Sequence, residues 1–315
     1  MLNKPLYSII IPHYNLPKLL RRCLQSIPER EDVQVIVVDD QSPEADTYMD
    51  TIPELKRSNV EFYVADEKKG GGHARNIGLT YAKGKYVIFS DSDDYFNFCL
   101  DDFLDDYKNS DFDCIFFNAT VLDSDTYTPT ARGQRPASYF HRFADNQEKL
   151  EYHLRYLFGQ PWCKMVKREL LEQNKIQFEE TIIHNDTQYA YMVGFYSRSI
   201  HIDNRCVYAY MVRQNSVSKQ KKSDEVLMTR LKVFLRKYQF LRKHSIVYDI
   251  EDHVTNVIIY YKKANAKNKV NECYKIASEF GVTRAEIRKI LLKRCLRSSL
   301  VVRIFNRIKF LISYD

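Results

Sequence analysis

Short apolar runs alternate with helically spaced segments over the first ninety residues. "LYSIII" is unbroken rather than alternating, the pattern of a strand buried on both faces. After "PHYNLP", Leu19, Leu20, Cys23, Leu24 and Ile27 recur at helical spacing. "VQVIVV" predicts a second buried strand, and "DDQSPEAD" leads into a polar helix with Pro43 suited to its first turn. "VEFYV" predicts a third strand, "GGGHARNIGLTYA" a helix opening on glycines, and "KYVIFS" a fourth strand. This alternation predicts a doubly wound α/β fold with a mixed, mostly parallel sheet flanked by helices. Between Asp101 and about Ser218 the pattern is mixed, with "CIFFNATVL" a strand and "NQEKLEYHLRYLF" a helix. From Lys219 only helices are expected, as a C-terminal extension. The predicted regions are 1–100, 101–218 and 219–315.

Ligands of such sheets sit beyond the carboxyl ends of the strands. Here those ends carry "PHYN", "DDQS" and "DSDD", and "KKGGGHAR" opens the helix after the third strand. In an extended segment Asp91 and Asp93 point the same way, so both reach one ligand. Carboxylates so spaced suit Mg2+ or Mn2+ with a substrate phosphate, or they form an acidic turn capping the next helix. The glycines offer backbone N–H groups at a helix start beside Arg75, which suits a diphosphate; the plain alternative is a flexible turn. The run matches neither G-x-G-x-x-G nor the P-loop. Asp39 and Asp40 end a buried strand, as hydrogen-bond acceptors for a base or ribose or as a helix cap. His184, Asn185 and Asp186 precede an amphipathic stretch, where Asp186 is either a cap or a base.

Composition narrows the classes. The chain has 315 residues, a net charge of +7 and seven scattered cysteines with no C-x-x-C pair, which predicts a reduced, cytoplasmic setting. The N-terminal apolar run is too short for a signal-peptide core. The basic residues are not interleaved with aromatics in any recognition motif, which argues against a nucleic-acid-binding module.

Taken in order, the motifs resemble the family 2 glycosyltransferases of the GT-A fold. "SIIIPHYN" is similar to the family's first strand, "VVDDQS" to its second-strand acidic pair, "GGGHARNIGL" to its glycine-to-ARN-G segment, and "FSDSDDY" to its D-x-D metal motif. "PWCKMVKRELLEQNKIQF" resembles its W-N-K-L-Y stretch, with Cys163 in place of Asn, and "YAYMVRQNSVS" resembles its Y-Y-R…S-I-[ST] segment. The resemblance covers roughly residues 5 to 218. It departs where Asn185 replaces the Glu before the family's base, and in a longer glycine run. It implies inverting transfer of a sugar, hexosyl or N-acetylhexosaminyl, from a nucleotide sugar, expected to be a UDP-sugar, to an acceptor hydroxyl. The acceptor would be a saccharide or lipid-linked saccharide in cell-surface polysaccharide or glycolipid assembly. The implied residues are Asp93 and Asp91 on a Mn2+ or Mg2+ ion, with Asp94 behind them or capping. Pro12, Tyr14, Asn15, Asp39, Asp40, Gly72, Arg75, Asp91 and Ser92 would meet the nucleotide. Asp186 would be the base, and Trp162, Lys164 and Arg213 would contact acceptor or diphosphate.

A haloacid-dehalogenase-like phosphatase also places D-x-D after a strand, but on its first strand and with Thr or Val where Tyr95 stands here. The tail from Arg284 to Lys309 is basic, with Glu286 its one acid, and Ile287, Ile290, Leu291, Leu300, Val301, Ile304, Phe305 and Ile308 recur at roughly helical spacing. That pattern fits a packed terminal helix or a peripheral helix on an anionic membrane surface.

Overall fold

The computed structural model describes residues 5–130, 135–213, 223–248 and 251–298. The chain divides into two compact units, Met1–Gln220 and Lys221–Asp315.

The first unit runs β1 (Tyr7–His13), α1 (Pro17–Gln25), β2 (Val33–Asp39), α2 (Tyr48–Thr51), β3 (Val60–Val64), α3 (Gly71–Tyr81), β4 (Tyr86–Phe89), β5 (Tyr95–Phe96) and α4 (Leu100–Tyr107). It continues through β6 (Cys114–Asp123), α5 (Arg135–Arg142), α6 (Gln147–Tyr156), β7 (Lys164–Lys167), α7 (Arg168–Gln173), α8 (Thr187–Tyr196) and β8 (Ile200–Val212). One sheet carries the strands in the order β3-β2-β1-β4-β7-β6-β8-β5. β1, β2, β3 and β4 are mutually parallel, β7 is antiparallel to both β4 and β6, and β8 runs parallel to β6. Every residue of β1 and β2 is buried, which is why neither shows polar alternation. The register of β1 against β2 brings His13 opposite Asp39, so the loops after both strands open at one edge of the sheet.

Two expectations change. The polar helix after "DDQSPEAD" is a single α-helical turn, α2, between 3-10 turns at Ala45–Thr47 and Pro53–Lys56. Pro53 has no N–H to continue a helix, and Pro43 lies in the turn ahead of it. β8 was not visible in the sequence: Asp203, Asn204 and Arg205 interrupt its apolar pattern, and the β6–β8 register shifts at Phe117–Asn118 and Asn118–Ala119.

The second unit holds α9 (Asp224–Lys243), α10 (Glu251–Lys263), α11 (Lys267–Glu279) and α12 (Arg284–Ser298), and no strand among its described residues. Leu231, Leu235, Val254, Val257, Ile258, Cys273, Ala277 and Ile287 form its core. Ser223 starts α9 by accepting a hydrogen bond from the Val226 N–H at 3.2 Å. Among the described residues no helix is long and apolar enough to cross a membrane. The basic tail beyond Ser298, and residues 214–218 of "YAYMVRQNSVS", lie outside the described residues.

Candidate functional site

At the ends of β1 and β2 two adjacent carboxylates face different ways. Asp39 is wholly buried. Its Oδ2 lies 2.6 Å from His13 Nδ1 and accepts from Ser42 Oγ at 2.7 Å, while Oδ1 accepts from the Ser42 N–H at 2.6 Å. The Leu16 N–H donates to His13 Nε2 at 3.0 Å, which leaves the proton on Nδ1 to donate to Asp39. Burial alone would raise the Asp39 pKa, but the hydrogen bonds from His13 and Ser42 outweigh it and hold it below the usual range. Both oxygens are spent, so the expected nucleotide contact by Asp39 gives way to a bracing role. Ser42 Oγ also accepts from the N–H of Asn15, whose φ of 50° turns the chain away from the sheet.

Asp40 turns toward the glycine run. Its oxygens accept from the Lys69 N–H at 3.0 Å and the Gly70 N–H at 2.9 and 3.0 Å. Pro12 is buried in β1, whereas Tyr14 is exposed, with Lys68 Nζ 2.6 Å from its hydroxyl oxygen and 3.9 Å from its ring centroid. Gly70 precedes α3 at φ 88°, a conformation that favours glycine.

The third cluster lies after β4. Asp91, Asp93 and Asp94 place carboxylate oxygens within 4.8 Å of one another. Asp94 is buried, with Oδ2 accepting from the Tyr208 hydroxyl at 2.8 Å and Oδ1 from the Met211 N–H at 2.7 Å. The Asp91 N–H donates back to the Tyr208 oxygen at 3.0 Å. Asp94 therefore anchors the loop on β8, and Asp91 and Asp93 stand at its open side, each partly exposed. Burial first, and then the neighbouring carboxylates, raise the pKa values of Asp93 and Asp94. Such crowded oxygen donors fit a hard divalent cation.

Arginines answer this charge. Arg75, almost buried, gives one NH2 bond to Asp91 Oδ1 at 2.5 Å and one NH1 bond to Asn185 Oδ1 at 3.1 Å, with its guanidinium 5.3 Å from the Phe178 ring. Asn185 thus makes a neutral contact where the family pattern has Glu. Arg213 holds Asp93 Oδ2 with Nε at 2.8 Å and NH2 at 2.5 Å. Arg22 of α1 donates to the Asp93 carbonyl, lies over the Tyr95 ring at 5.2 Å and bonds the Tyr127 hydroxyl at 3.1 Å.

Asp186 sits at the start of α8, yet its side chain makes no capping bond. Burial pushes its pKa up to about 6; Arg75 and Lys164 pull it down and Asp91 pushes it up, so these groups share one electrostatic neighbourhood. Trp162 and Lys164 correct another expectation. Trp162 is buried and stacks on Tyr208 at 5.2 Å and Tyr210 at 5.1 Å. Lys164 is wholly buried, its ammonium donating to the Phe158 and Gln160 carbonyls, and burial brings its pKa down to about 8. Neither presents a surface to a ligand; both support the site from below. Ser92 is also buried.

Sequence reasoning missed Tyr208 and Arg22. Arg22 lies beside the apolar positions of an ordinary amphipathic helix and had no local signal, whereas Tyr208 opens the segment "YAYMVRQNSVS", whose motif was visible without saying that its hydroxyl holds the acidic loop.

The family model "Glycosyl transferase family 2" matches residues 8–174. The Bacillus subtilis (strain 168) protein EpsH is 25% identical over 224 residues, covering 68% of this chain and 62% of that protein, so the chain spans less than two thirds of it. The Staphylococcus aureus poly(ribitol-phosphate) beta-N-acetylglucosaminyltransferase TarS is 33% identical over 97 residues, 29% of this chain and 17% of TarS. A crystal structure of TarS residues 1–349 with UDP-GlcNAc superposes with a TM-score of 0.57 at 21% identity, covering 75% of this chain and 70% of that one. The Pyrobaculum calidifontis mannosyltransferase PcManGT, in complex with GDP-Man and Mn2+, gives a TM-score of 0.50 at 16% identity, covering 94% and 88%. At these identities the structures establish the fold.

Proposed function

Because this chain belongs to glycosyl transferase family 2 and has the GT-A fold, we propose that it transfers a sugar from a nucleotide sugar to an acceptor hydroxyl with inversion at the anomeric carbon. The observation that carries the reading is the convergence of the Asp91–Asp93–Asp94 cluster, Arg75 and Asp186 at the carboxyl edge of the sheet. The phosphatase alternative falls with the family assignment.

Pro12, Tyr14 and Asp40 would bound the base, with Asn15 and Gly72 lining the approach and Arg75 directed at the phosphates. Asp91 and Asp93 would hold Mn2+ or Mg2+, which supplies a Lewis acid for the charge developing on the leaving diphosphate. Asp186 would take the proton of the acceptor hydroxyl. The hydroxyl oxygen then forms its bond to the anomeric carbon as the bond from that carbon to the diphosphate oxygen breaks, and the nucleoside diphosphate departs. A pKa near 6 leaves Asp186 ionised at neutral pH while raising its basicity above that of an ordinary aspartate.

A UDP-sugar is the favoured donor, by analogy with the UDP-GlcNAc held by TarS. The acceptor is a saccharide or lipid-linked saccharide of a cell-surface polymer, in line with the polymer in the TarS name, and the reaction belongs at the cytoplasmic face. The test is thermal stabilisation by a panel of nucleotide sugars with Mn2+, Mg2+ or EDTA, for wild type and Asp93→Ala. A ligand at 100 times its dissociation constant adds about 2.7 kcal/mol. Stabilisation by one UDP-sugar that needs the metal and Asp93 is expected. If no nucleotide sugar stabilises the wild type with any metal, the reading fails.

A further inference from the structure

Three guanidinium groups surround the acidic loop, and they differ in which part of it they bond. Arg75 is almost buried and is held on two sides, by Asp91 and by Asn185 across the site, with Phe178 against its plane. Arg22 bonds the Asp93 main chain and leaves that carboxylate open. Arg213 alone of the three takes the Asp93 carboxylate itself, through Nε at 2.8 Å and NH2 at 2.5 Å on the same oxygen. Its side chain is 22% exposed, and it directly follows Val212, the last residue of β8.

We infer that Arg213 is an exchangeable counter-ion which makes Asp93 select a metal–diphosphate pair over free metal. This rests on the proposed metal and nucleotide reading of the same site. A divalent cation on Asp93 Oδ2 would stand against the guanidinium already bonded to that oxygen, and like charges at such range repel strongly in a partly buried site. Free metal must therefore displace Arg213 and leave the guanidinium without its carboxylate. A metal that arrives with a diphosphate brings a new anionic partner, whose paired oxygens suit the planar fork of arginine. The exchange thus couples the two ligands through one side chain.

The coupling has a signature of opposite signs. The measurement uses the full chain, the free-ion electron paramagnetic resonance signal of Mn2+ to count unbound metal, and calorimetry with UDP at saturating Mn2+. Arg213→Met should bind Mn2+ alone about tenfold more tightly than wild type and bind UDP with Mn2+ about tenfold more weakly, within the usual range of coupling between sites. Arg213→Lys, which keeps the charge and loses the fork, should fall between them in both. Adding Asp93→Ala to Arg213→Met should abolish the gained metal affinity. Unchanged or weaker Mn2+ binding by Arg213→Met, or tight binding that survives loss of Asp93, overturns the inference while leaving the donor reading intact. Failure of the wild type to bind UDP with or without Mn2+ overturns both.

Discussion

A Cβ added to Gly72, in the first turn of α3, would come within 2.3 Å of the Glu179 carbonyl oxygen and 3.0 Å of Asn185 Cβ. The helix that opens the glycine segment therefore touches the backbone of the loop that carries Asn185 and Asp186. Asn76 reinforces the contact, bonding the Phe178 carbonyl at 3.0 Å and accepting from the Phe178 N–H at 2.8 Å.

Gly72→Ala should test this contact. The obstacle is backbone, so the loop rather than a rotamer must move, and overpacking of this kind costs about 1–3 kcal/mol. Thermal unfolding should show a lowered Tm, and transfer should fall further than stability explains because Asp186 shifts with the loop. A variant as stable and active as wild type would show that the loop yields freely.

Asp186→Asn should keep donor affinity and lose about 10²–10⁴ in turnover, the usual worth of a general base. The base acts ionised, so wild-type kcat should fall as pH drops through about 6, where burial places this carboxyl. Calorimetry with UDP and a pH–rate profile check the two halves. Turnover within a few-fold of wild type would make Asp186 only the start of α8.

Tyr208→Phe removes the hydroxyl that donates to Asp94 and accepts from the Asp91 N–H. Leaving a buried carboxylate oxygen short of its donor should cost about 1–3 kcal/mol in chemical denaturation. The slackened loop should also weaken Mn2+-dependent UDP binding. A change within experimental error in both would mean that the Met211 N–H alone holds Asp94.

The basic tail is tested by flotation with anionic and neutral liposomes. Ile287 of α12 is buried in the helical core, so removal of the whole tail would damage that unit. The informative truncation ends at Ser298. The full chain should float only with anionic vesicles, since each Lys or Arg near such a surface contributes about 1 kcal/mol before screening. The shortened chain should not float. Binding that ignores lipid charge, or survives truncation, would make the tail a packing element.

The sequence by itself determined the parallel first half of the fold and the edge at which its polar clusters meet. β1, β2 and β4 are buried on both faces, so each appears as an unbroken apolar run whose end is marked by the first carboxylate or histidine. It could not tell Asp39 from Asp40, since both are buried and only the tertiary structure sets Asp39 against His13 and Ser42 and Asp40 against the Lys69 and Gly70 N–H groups. It could not find β8, because a polar interruption and a register shift leave no regular period there. The pairs Arg75–Asn185 and Arg213–Asp93 join residues 110 and 120 positions apart. Side-chain pairs at that separation leave no trace in local propensity. Only the closing of the sheet, with β7 beside β4 and β8 beside β6, put one arginine on each open carboxylate, and only the structure shows that Asp186 makes no capping bond at the start of α8.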